Sequence, residues 1–389
     1  INMKKLKDLA SFIRFEYDLL VLKRVSKIIS QIEHGYCVKQ YLPVKDQYKI
    51  AFIVPGMVSY SGGHTSILRL GTLLSQLGHD VYYITYDGTS REKMEKSAEI
   101  NLPGYQGTFL EQSELNKFNS DIGIATYWES CYWLLAFQDI FDYKMYFIQD
   151  FEPYFYAMGD LYYLALNTYK FGFHMVSLGK WNKSIVERKT TEKVDYIDFP
   201  VELGQYKLKK RKIIINKLVK IALYLKLDSR RAPFLLIQQI GYLHEKLSKL
   251  GYELEVYVFG LNKHIKLPFI KNLGKLKTKE LIELYNECHF GLVASLTNIS
   301  LVNYEMTLSG IPVIDLADGS APTFFSEEEM IFINSNIDDL YNKVIYYLNH
   351  QDVLNDVLET SQNKIINKRL SWENSSNQFN NIIYRNVSK

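Results

Sequence analysis

Cysteine is scarce in this chain: Cys37, Cys131 and Cys288 are the only three in 389 residues. They lie far apart and no CxxC pair occurs, which removes a zinc ribbon and a dithiol redox motif. A sparse, odd count fits a reducing compartment such as the cytoplasm. Long apolar runs are also missing, and no stretch reaches the roughly 18 uninterrupted residues that a membrane-spanning helix needs. The opening "KKLKDLASFIRFEYDLLVLK" has a basic start, but acids interrupt its apolar part, so it does not read as a signal peptide. There is no Asp-x-Asp pair to hold a diphosphate-bound cation. A net charge of +3 is too small to argue for a nucleic-acid partner.

The composition that remains is globular, with 47% hydrophobic and 23% charged residues and 30 tyrosines, most of them expected in the core or on helix surfaces. Residues 4–33 keep a three-to-four spacing of Leu6, Leu9, Ile13, Tyr17 and Leu20, which predicts an amphipathic helix with that stripe as its apolar face. Residues 1–27 hold seven Lys/Arg against three Asp/Glu. A solvated helical extension and an interfacial helix drawn to anionic lipid both fit that excess.

From residue 48 the pattern changes. "YKIAFIVPG" (48–56) is an apolar run of the buried parallel-strand type. "SYSGGHTSILRLGTLLSQLGHDVYYIT" (59–85) then gives a Gly-rich turn, a helix over 64–77 and a strand over 81–85, one βαβ unit. "SDIGIATYW" (120–128), "KMYFIQDFEP" (144–153) and "HMVSLGKW" (174–181) add strand-then-loop signals. A basic connector, "VELGQYKLKKRKIIINK", precedes a second series. Its strands are expected at 219–225, 252–260, 270–274, 290–295, 311–316 and 330–334, and its helices at 232–250, 278–287, 301–309 and 337–348. Alternation of this kind predicts two doubly wound α/β domains. The expected boundaries are a helical extension over 1–47, domains over 48–200 and 201–370, and a terminal helix within 371–389.

Ligands of open parallel sheets bind at the carboxyl ends of strands. "FGLVAS" ends at Ser295 and a helix restarts near Leu301, so the intervening loop sits at a strand end and a helix start. Four free N–H groups and the helix dipole are expected to favour an anion there, with Asn298 and Ser300 as natural caps. Glu305, one turn further in, is the only side chain of residues 295–314 that carries a charge at neutral pH. It could accept hydroxyl hydrogen bonds from a ribose or a sugar, or serve as a buried structural carboxylate. Lys226, Arg230 and Arg231 cluster in the loop after the domain's first strand, where Arg suits bidentate phosphate contact and Lys a point charge. Two anion-friendly strand ends predict one diphosphate held from both sides.

The strand, loop and helix carrying Glu305, followed by "SGIPVI", resemble the nucleotide-sugar signature of GT-B glycosyltransferases of family 4. That signature has two glutamates separated by seven residues; Glu305 matches the second, and Thr297 stands where the first would be. "YFIQDFEPYFYAMG", "TYKFGFH", "LGKW", "LYLKLDSRRAPF" and "SLTNISLVNYEM" are similar to the bacterial surface-glycan rhamnosyltransferases of the WsaF type, over most of residues 48–320. The resemblance implies a GT-B fold of two Rossmann-like domains facing a cleft, a tail helix crossing back to the first domain, and a dTDP-L-rhamnose donor. It implies diphosphate contacts from Lys226 and Arg231 and a ribose contact from Glu305. The nucleotide-sugar site then comprises Gly62, Gly63, Lys226, Arg230, Arg231, Thr297, Asn298, Ile299, Ser300, Leu301 and Glu305.

In that frame the first domain takes the acceptor. Gly62-Gly63 permits close backbone approach, and His64 beside it could orient the acceptor or stabilise the departing phosphate. Asp150 and Glu152 end another strand and could accept a sugar hydroxyl; structural capping is the simpler role for both. His174 and Trp181 are weaker candidates. Lys/Arg and the helix start would neutralise the leaving group without a metal or cofactor, and the resemblance implies retention at the anomeric carbon. The expected partners are a nucleotide-sugar donor, a glycan or lipid-linked oligosaccharide acceptor, and the membrane surface through the N-terminal helix at the inner face of the plasma membrane. Thr297 also leaves open a catalytically silent nucleotide-sugar-binding subunit of a glycan assembly complex, and a UDP-sugar donor remains an alternative to dTDP.

Overall fold

The computed structural model describes residues 3–33, 38, 40–201, 206, 208–261, 265–368 and 370–387, with the backbone alone for 3–11 and 386–387. Cys37 lies outside the described residues. Two compact units divide the chain: Ile1–Asp198 with Ser375–Lys389, and Phe199–Asn374.

The first unit opens with helix α1 (Met3–Ile29) and continues β1 (Lys49–Val54), α2 (Gly62–Gln76), β2 (Asp80–Thr85), α3 (Arg91–Asn101), β3 (Thr108–Leu110), β4 (Ser120–Ala125), α4 (Trp128–Ala136), β5 (Phe141–Ile148), α5 (Asp160–Thr168), β6 (His174–Leu178), α6 (Lys180–Thr190) and β7 (Val194–Ile197). Its seven strands lie in the order β3-β2-β1-β4-β5-β6-β7, all parallel. All six residues of β4 are buried, as expected of a central strand covered on both faces, where an apolar run replaces alternation. The core gathers Ile53, Ala125, Trp128, Trp133, Tyr146 and Ile148.

The second unit runs β8 (Leu218–Tyr224), α7 (Pro233–Lys249), β9 (Glu253–Phe259), β10 (Ile270–Gly274), α8 (Thr278–Glu287), β11 (Phe290–Leu292), α9 (Leu301–Leu308), β12 (Val313–Leu316), α10 (Ala321–Phe324), β13 (Ile331–Ile333), α11 (Asp339–Asn349) and α12 (Gln351–Asn367); α13 (Trp372–Val387) closes the chain. Its sheet is β10-β9-β8-β11-β12-β13, again parallel, around Ile221, Leu223, Leu236, Val256, Leu292 and Ile314. Both sheets therefore reverse direction between their first and fourth strands. That switch point, β1/β4 in one unit and β8/β11 in the other, is where an open α/β sheet leaves a crevice at its strand ends.

The expected apolar stripe of α1 needs correction. The face packed on the body carries Val21, Val25 and Ile28, which are buried, whereas Ile13, Tyr17 and Leu20 are exposed. The stripe was read from spacing in the amino-terminal half, where the side chains of Leu6 and Leu9 lie outside the described residues; among the described ones it is the carboxyl-terminal half that packs on the core. At the other end of the chain α13 packs within the first unit: Gln378 donates to the Asp198 carboxylate at 2.7 Å, Ser375 to its carbonyl at 2.9 Å, and Phe379 meets Phe147 edge-on.

Candidate nucleotide site

The loop after β8 is held in an unusual shape. Asp228 caps a single turn, Ser229–Arg231, by accepting from the Arg230 N–H at 3.0 Å. Ala232 then adopts φ +41 in the left-handed region, and Pro233 begins α7. Proline's fixed φ suits a first helical position, while a left-handed alanine is strained and needs its surroundings to hold it. The three cations do different things. Arg230 forks onto Asp228, Nε to Oδ1 at 3.0 Å and Nη2 to Oδ2 at 2.6 Å. Burial works to raise the Asp228 carboxyl, but the Arg230 bonds and the nearby Arg231 bring it below the usual carboxylate range. The Arg230 guanidinium thus helps to shape the turn through Asp228. Arg231 points the other way and donates through Nη1 to the Ala294 carbonyl at 3.2 Å and Ser295 Oγ at 3.4 Å. Lys226 is exposed, its ammonium 5.4 Å from the Tyr224 ring centroid.

The two strand-end loops meet directly. Besides the Arg231 contacts, the Leu296 N–H donates to the Arg230 carbonyl at 3.2 Å. Ser300 caps α9 by accepting from the Val302 N–H at 3.3 Å. Asn298 accepts from the Ile299 N–H at 3.0 Å, and the N-cap of α9 is Ser300. Thr297, Asn298, Ile299 and Ser300 are all buried, and Leu301 is half-buried. The expected four free amides are fewer: Ser300 takes those of Val302 and Asn303, through its hydroxyl and its carbonyl at 3.2 Å. The N–H groups of Ser300 and Leu301 are engaged by none of these bonds.

Asp315, which the sequence did not single out, ties this loop down. It is fully buried at the end of β12, accepts from the Ser295 N–H at 2.8 Å and takes the Asn303 amide of α9 at 2.6 Å. Burial raises its carboxyl while those donors pull it back. The next loop closes on the same point, with the Ser320 N–H donating to the Ser295 carbonyl at 2.7 Å. A Cβ on Gly319 would stand 2.0 Å from that carbonyl, so only glycine fits. The far end of α9 explains "SGIPVI". Gly310 has φ +90, its N–H returns to Thr307 O at 3.1 Å, and the Ile311 N–H returns to Met306 O at 3.2 Å, a Schellman stop.

Glu305 is partly buried on α9, and burial pushes its carboxyl up to about 7, against the pull of a hydrogen bond from the Tyr206 hydroxyl. A carboxyl poised there changes its charge with small changes in what it touches.

The first unit places its candidates at its own switch point. Gly62 and Gly63 form the first turn of α2 and not a preceding turn; the space beside Gly62 is open, and a Cβ on Gly63 would make ordinary contact with Gln149. His64 is buried, and its Nδ1 lies 2.9 Å from the Val58 N and 3.4 Å from the Val58 carbonyl oxygen. Burial lowers its basicity, against the pull of the Val58 carbonyl, so the ring is neutral near pH 7. Tyr60, in the same loop, has φ +59 and is 87% exposed. Asp150 accepts from its neighbour's N–H, Phe151 N, at 2.8 Å.

Glu152 is a correction. It is 2% exposed, accepts from the Trp128 N–H at 2.5 Å at the start of α4, and is driven well above the usual carboxyl range by burial. Such a group holds α4 and does not reach substrate. His174 also serves the fold, with Tyr143 on Nδ1 at 3.1 Å and Asp195 on Nε2 at 2.9 Å, while Arg385 of α13 reaches the other Asp195 oxygen at 2.8 Å. Trp181 packs against the first core.

Two parallel-sheet Rossmann-like units with one strand order, the second with a cation and a helix start at its switch point, define the GT-B fold class. A family model described as glycosyl transferase-like matches residues 238–381. The structure of Anabaena HepE in complex with UDP and glucose superposes with a TM-score of 0.63 at 11% identity, covering 87% of this chain and 99% of that one. Sucrose-phosphate synthase from Thermosynechococcus elongatus gives 0.64 at 14%, covering 88% and 99%, and a glycosyltransferase from Rickettsia africae gives 0.63 at 17%, covering 89% and 100%. No curated protein sequence matches the chain.

Proposed function

We propose that the protein is a glycosyltransferase whose second unit binds a nucleoside-diphosphate sugar. The observation that carries this reading is the meeting of two strand-end loops at the β8/β11 switch point, where Arg231 reaches Ala294 and Ser295 beside the start of α9. A diphosphate there would take charge-assisted bonds from Arg231 and Lys226 and backbone bonds from Ser300 and Leu301. Glu305 would accept the hydroxyl of the nucleoside sugar. Asp315 would keep the loop in place without touching the ligand. Thr297, Asn298 and Ile299 would form its inner wall.

In transfer, the bond from the anomeric carbon to the diphosphate oxygen breaks as the acceptor oxygen bonds the same face of the carbon. The acceptor proton passes to the departing phosphate, and the negative charge left on the diphosphate is neutralised by Arg231 and Lys226 in place of a metal. In the first unit His64, neutral near pH 7, is the candidate for orienting the acceptor, with the Gly62-Gly63 turn beside it. Asp150 is retained as a hydroxyl acceptor.

For the donor, the resemblance to WsaF-type enzymes favours dTDP-L-rhamnose and a cell-surface glycan acceptor at the cytoplasmic membrane face. UDP and glucose in the similarly folded Anabaena HepE favour a second reading, a UDP-sugar donor. A thermal-shift panel of dTDP, UDP, GDP and their sugars tests both, since a ligand bound by the native state alone raises its melting point. A shift with dTDP above that with UDP supports the rhamnosyl reading, and the reverse supports the second. No shift with any nucleotide overturns the donor site itself. Transfer assays then separate an enzyme from a silent binding subunit.

A further inference from the structure

The basic connector that opens the second unit returns to the candidate donor site through one side chain. Tyr206 is 4% exposed. Its hydroxyl donates to the Glu305 carboxyl of α9 and takes a bond from the Thr278 hydroxyl, where α8 begins. Further along, the connector is fastened to the same helices. The Lys209 N–H donates to the Leu308 carbonyl at 2.8 Å, and Gln362 of α12 donates to the Lys209 carbonyl at 3.0 Å. A Cβ on Gly310 would stand 2.8 Å from that carbonyl, so the glycine that ends α9 also admits the connector. Arg211 Nη1 then donates to the carbonyls of Tyr285 and Cys288 at the end of α8, at 3.2 and 2.8 Å.

Tyr206 is held by a different kind of group. Lys209 and Arg211 rest on helix carbonyls and a glutamine, whereas Tyr206 rests on the carboxyl assigned to the nucleoside. That carboxyl is short of donors. Asp315, which serves structure alone, gathers the N–H groups of Ser295 and Leu316 and the Asn303 amide. Glu305 has the Tyr206 hydroxyl, and burial still pushes it up to about 7.

A second group nearby is also unmet. Tyr285 is fully buried on α8, and its hydroxyl has no partner among the described residues. Burial drives that hydroxyl well above the usual tyrosine range, and the neighbouring Glu305 and Tyr206 add to the shift. Buried polar groups are normally hydrogen-bonded, so an orphan beside an under-bonded carboxyl marks an unfilled place. A ligand hydroxyl both donates and accepts. It could meet Glu305 and Tyr285 together, which Tyr206, with its acceptor side given to Thr278, does not.

We propose that the Tyr206 hydroxyl stands in for a hydroxyl of the nucleoside sugar, and that a bound nucleotide displaces it from Glu305 while Lys209 and Arg211 keep the connector anchored. The inference rests on the donor-site reading of Glu305. Its consequence is regulatory: affinity for the donor is lowered by the fraction of time that Tyr206 holds the site closed.

The test is calorimetric titration of the full chain and of Tyr206→Phe with UDP, dTDP and inorganic pyrophosphate. Phenylalanine keeps the ring and removes the hydroxyl. The variant should bind UDP or dTDP about three to ten times more tightly, because the closed form has lost its tether. Pyrophosphate, which reaches the diphosphate contacts alone, should bind both proteins alike. Unchanged or weaker nucleotide binding by the variant overturns the proposal, since a residue that supports the fold would give the first and one that touches the ligand the second. An equal gain for pyrophosphate overturns it too, because the change would then lie outside the nucleoside end. The parent supplies a second measurement that needs no variant. Hydrogen–deuterium exchange in the peptide carrying Tyr206 should rise on saturation with UDP or dTDP, and unchanged or lowered exchange there counts against displacement. A parent that binds neither nucleotide nor pyrophosphate removes the donor site and this inference together. A parent that binds them, with a variant that binds no more tightly, removes the inference alone.

Discussion

Glu305 makes stability depend on pH. Burial disfavours its charge and pushes the carboxyl up to about 7 in the folded protein, against an ordinary value of 4.5. Between those values the unfolded chain has released a proton that the folded one retains, so raising the pH through this window weakens the native state, and above about 7 no further loss follows. Glu305→Gln lacks this titration. Urea unfolding of the two proteins from pH 4.5 to 8 should show the variant gaining on the parent by something on the order of 3 kcal/mol. A constant difference would mean that the carboxyl is ionised throughout. Arg231→Ala should weaken nucleotide binding by about 1–3 kcal/mol in calorimetric titration, the range for a charge-assisted bond. Arg230→Ala should act on the turn and on stability instead, because its partner is Asp228. Lys226, Arg231 and Glu305 were legible as candidates because a charge in an apolar frame stands out. The division of labour between Arg230 and Arg231 was not, since it depends on which way each guanidinium leaves a single strained turn. Asp315 was invisible for a related reason. In "IPVIDL" it looks like an ordinary strand end, and its partners Ser295 and Asn303 are 20 and 12 residues away.

At the level of elements, the loop after β11 owes its shape to α9 and β12 more than to its own sequence. Asp315→Ala would strip the Ser295 N–H and the Asn303 amide of their acceptor inside the core, at about 1–3 kcal/mol for each donor left unsatisfied. Chemical denaturation should register that loss. Nucleotide affinity should fall with it, although Asp315 is fully buried and can touch no ligand. Intact affinity would show that the loop holds itself. Elements with an apolar period were readable in advance: α8 is found at the expected residues and α2, α7 and α9 within two. The helix α12 was not anticipated, and its seam shows why. Leu354, Val357 and Leu358 continue as Ser361 and Gln362, polar side chains that the fold buries. Gln362 donates to the carbonyls of Lys209 and Thr307 at 3.0 and 2.9 Å, so a polar residue occupies a core position and breaks the stripe. The strands β3 and β7, with three and four residues, are too short to carry a period.

Across the whole molecule, each unit carries its own core, one built on Trp128, Trp133 and the central strands of the first sheet, the other on Leu223, Leu236 and Val256. Separate cores of this size need not melt together, and a chain of two such units departs from two-state behaviour. The donor-site residues assigned here to the diphosphate, Arg231, Lys226 and the start of α9, all belong to the second unit. A nucleotide that binds them stabilises that unit by about 2.7 kcal/mol at a hundred times its dissociation constant. Differential scanning calorimetry should therefore resolve two transitions, of which saturating nucleotide raises one and leaves the other in place. Arg231→Ala should remove most of that shift at the same nucleotide concentration without moving the other transition. A single transition raised as a whole by nucleotide would mean that the two units unfold as one, and the donor site would then have to be located by substitution alone. A nucleotide-dependent rise that survives Arg231→Ala undiminished would move the diphosphate away from the β8/β11 switch point.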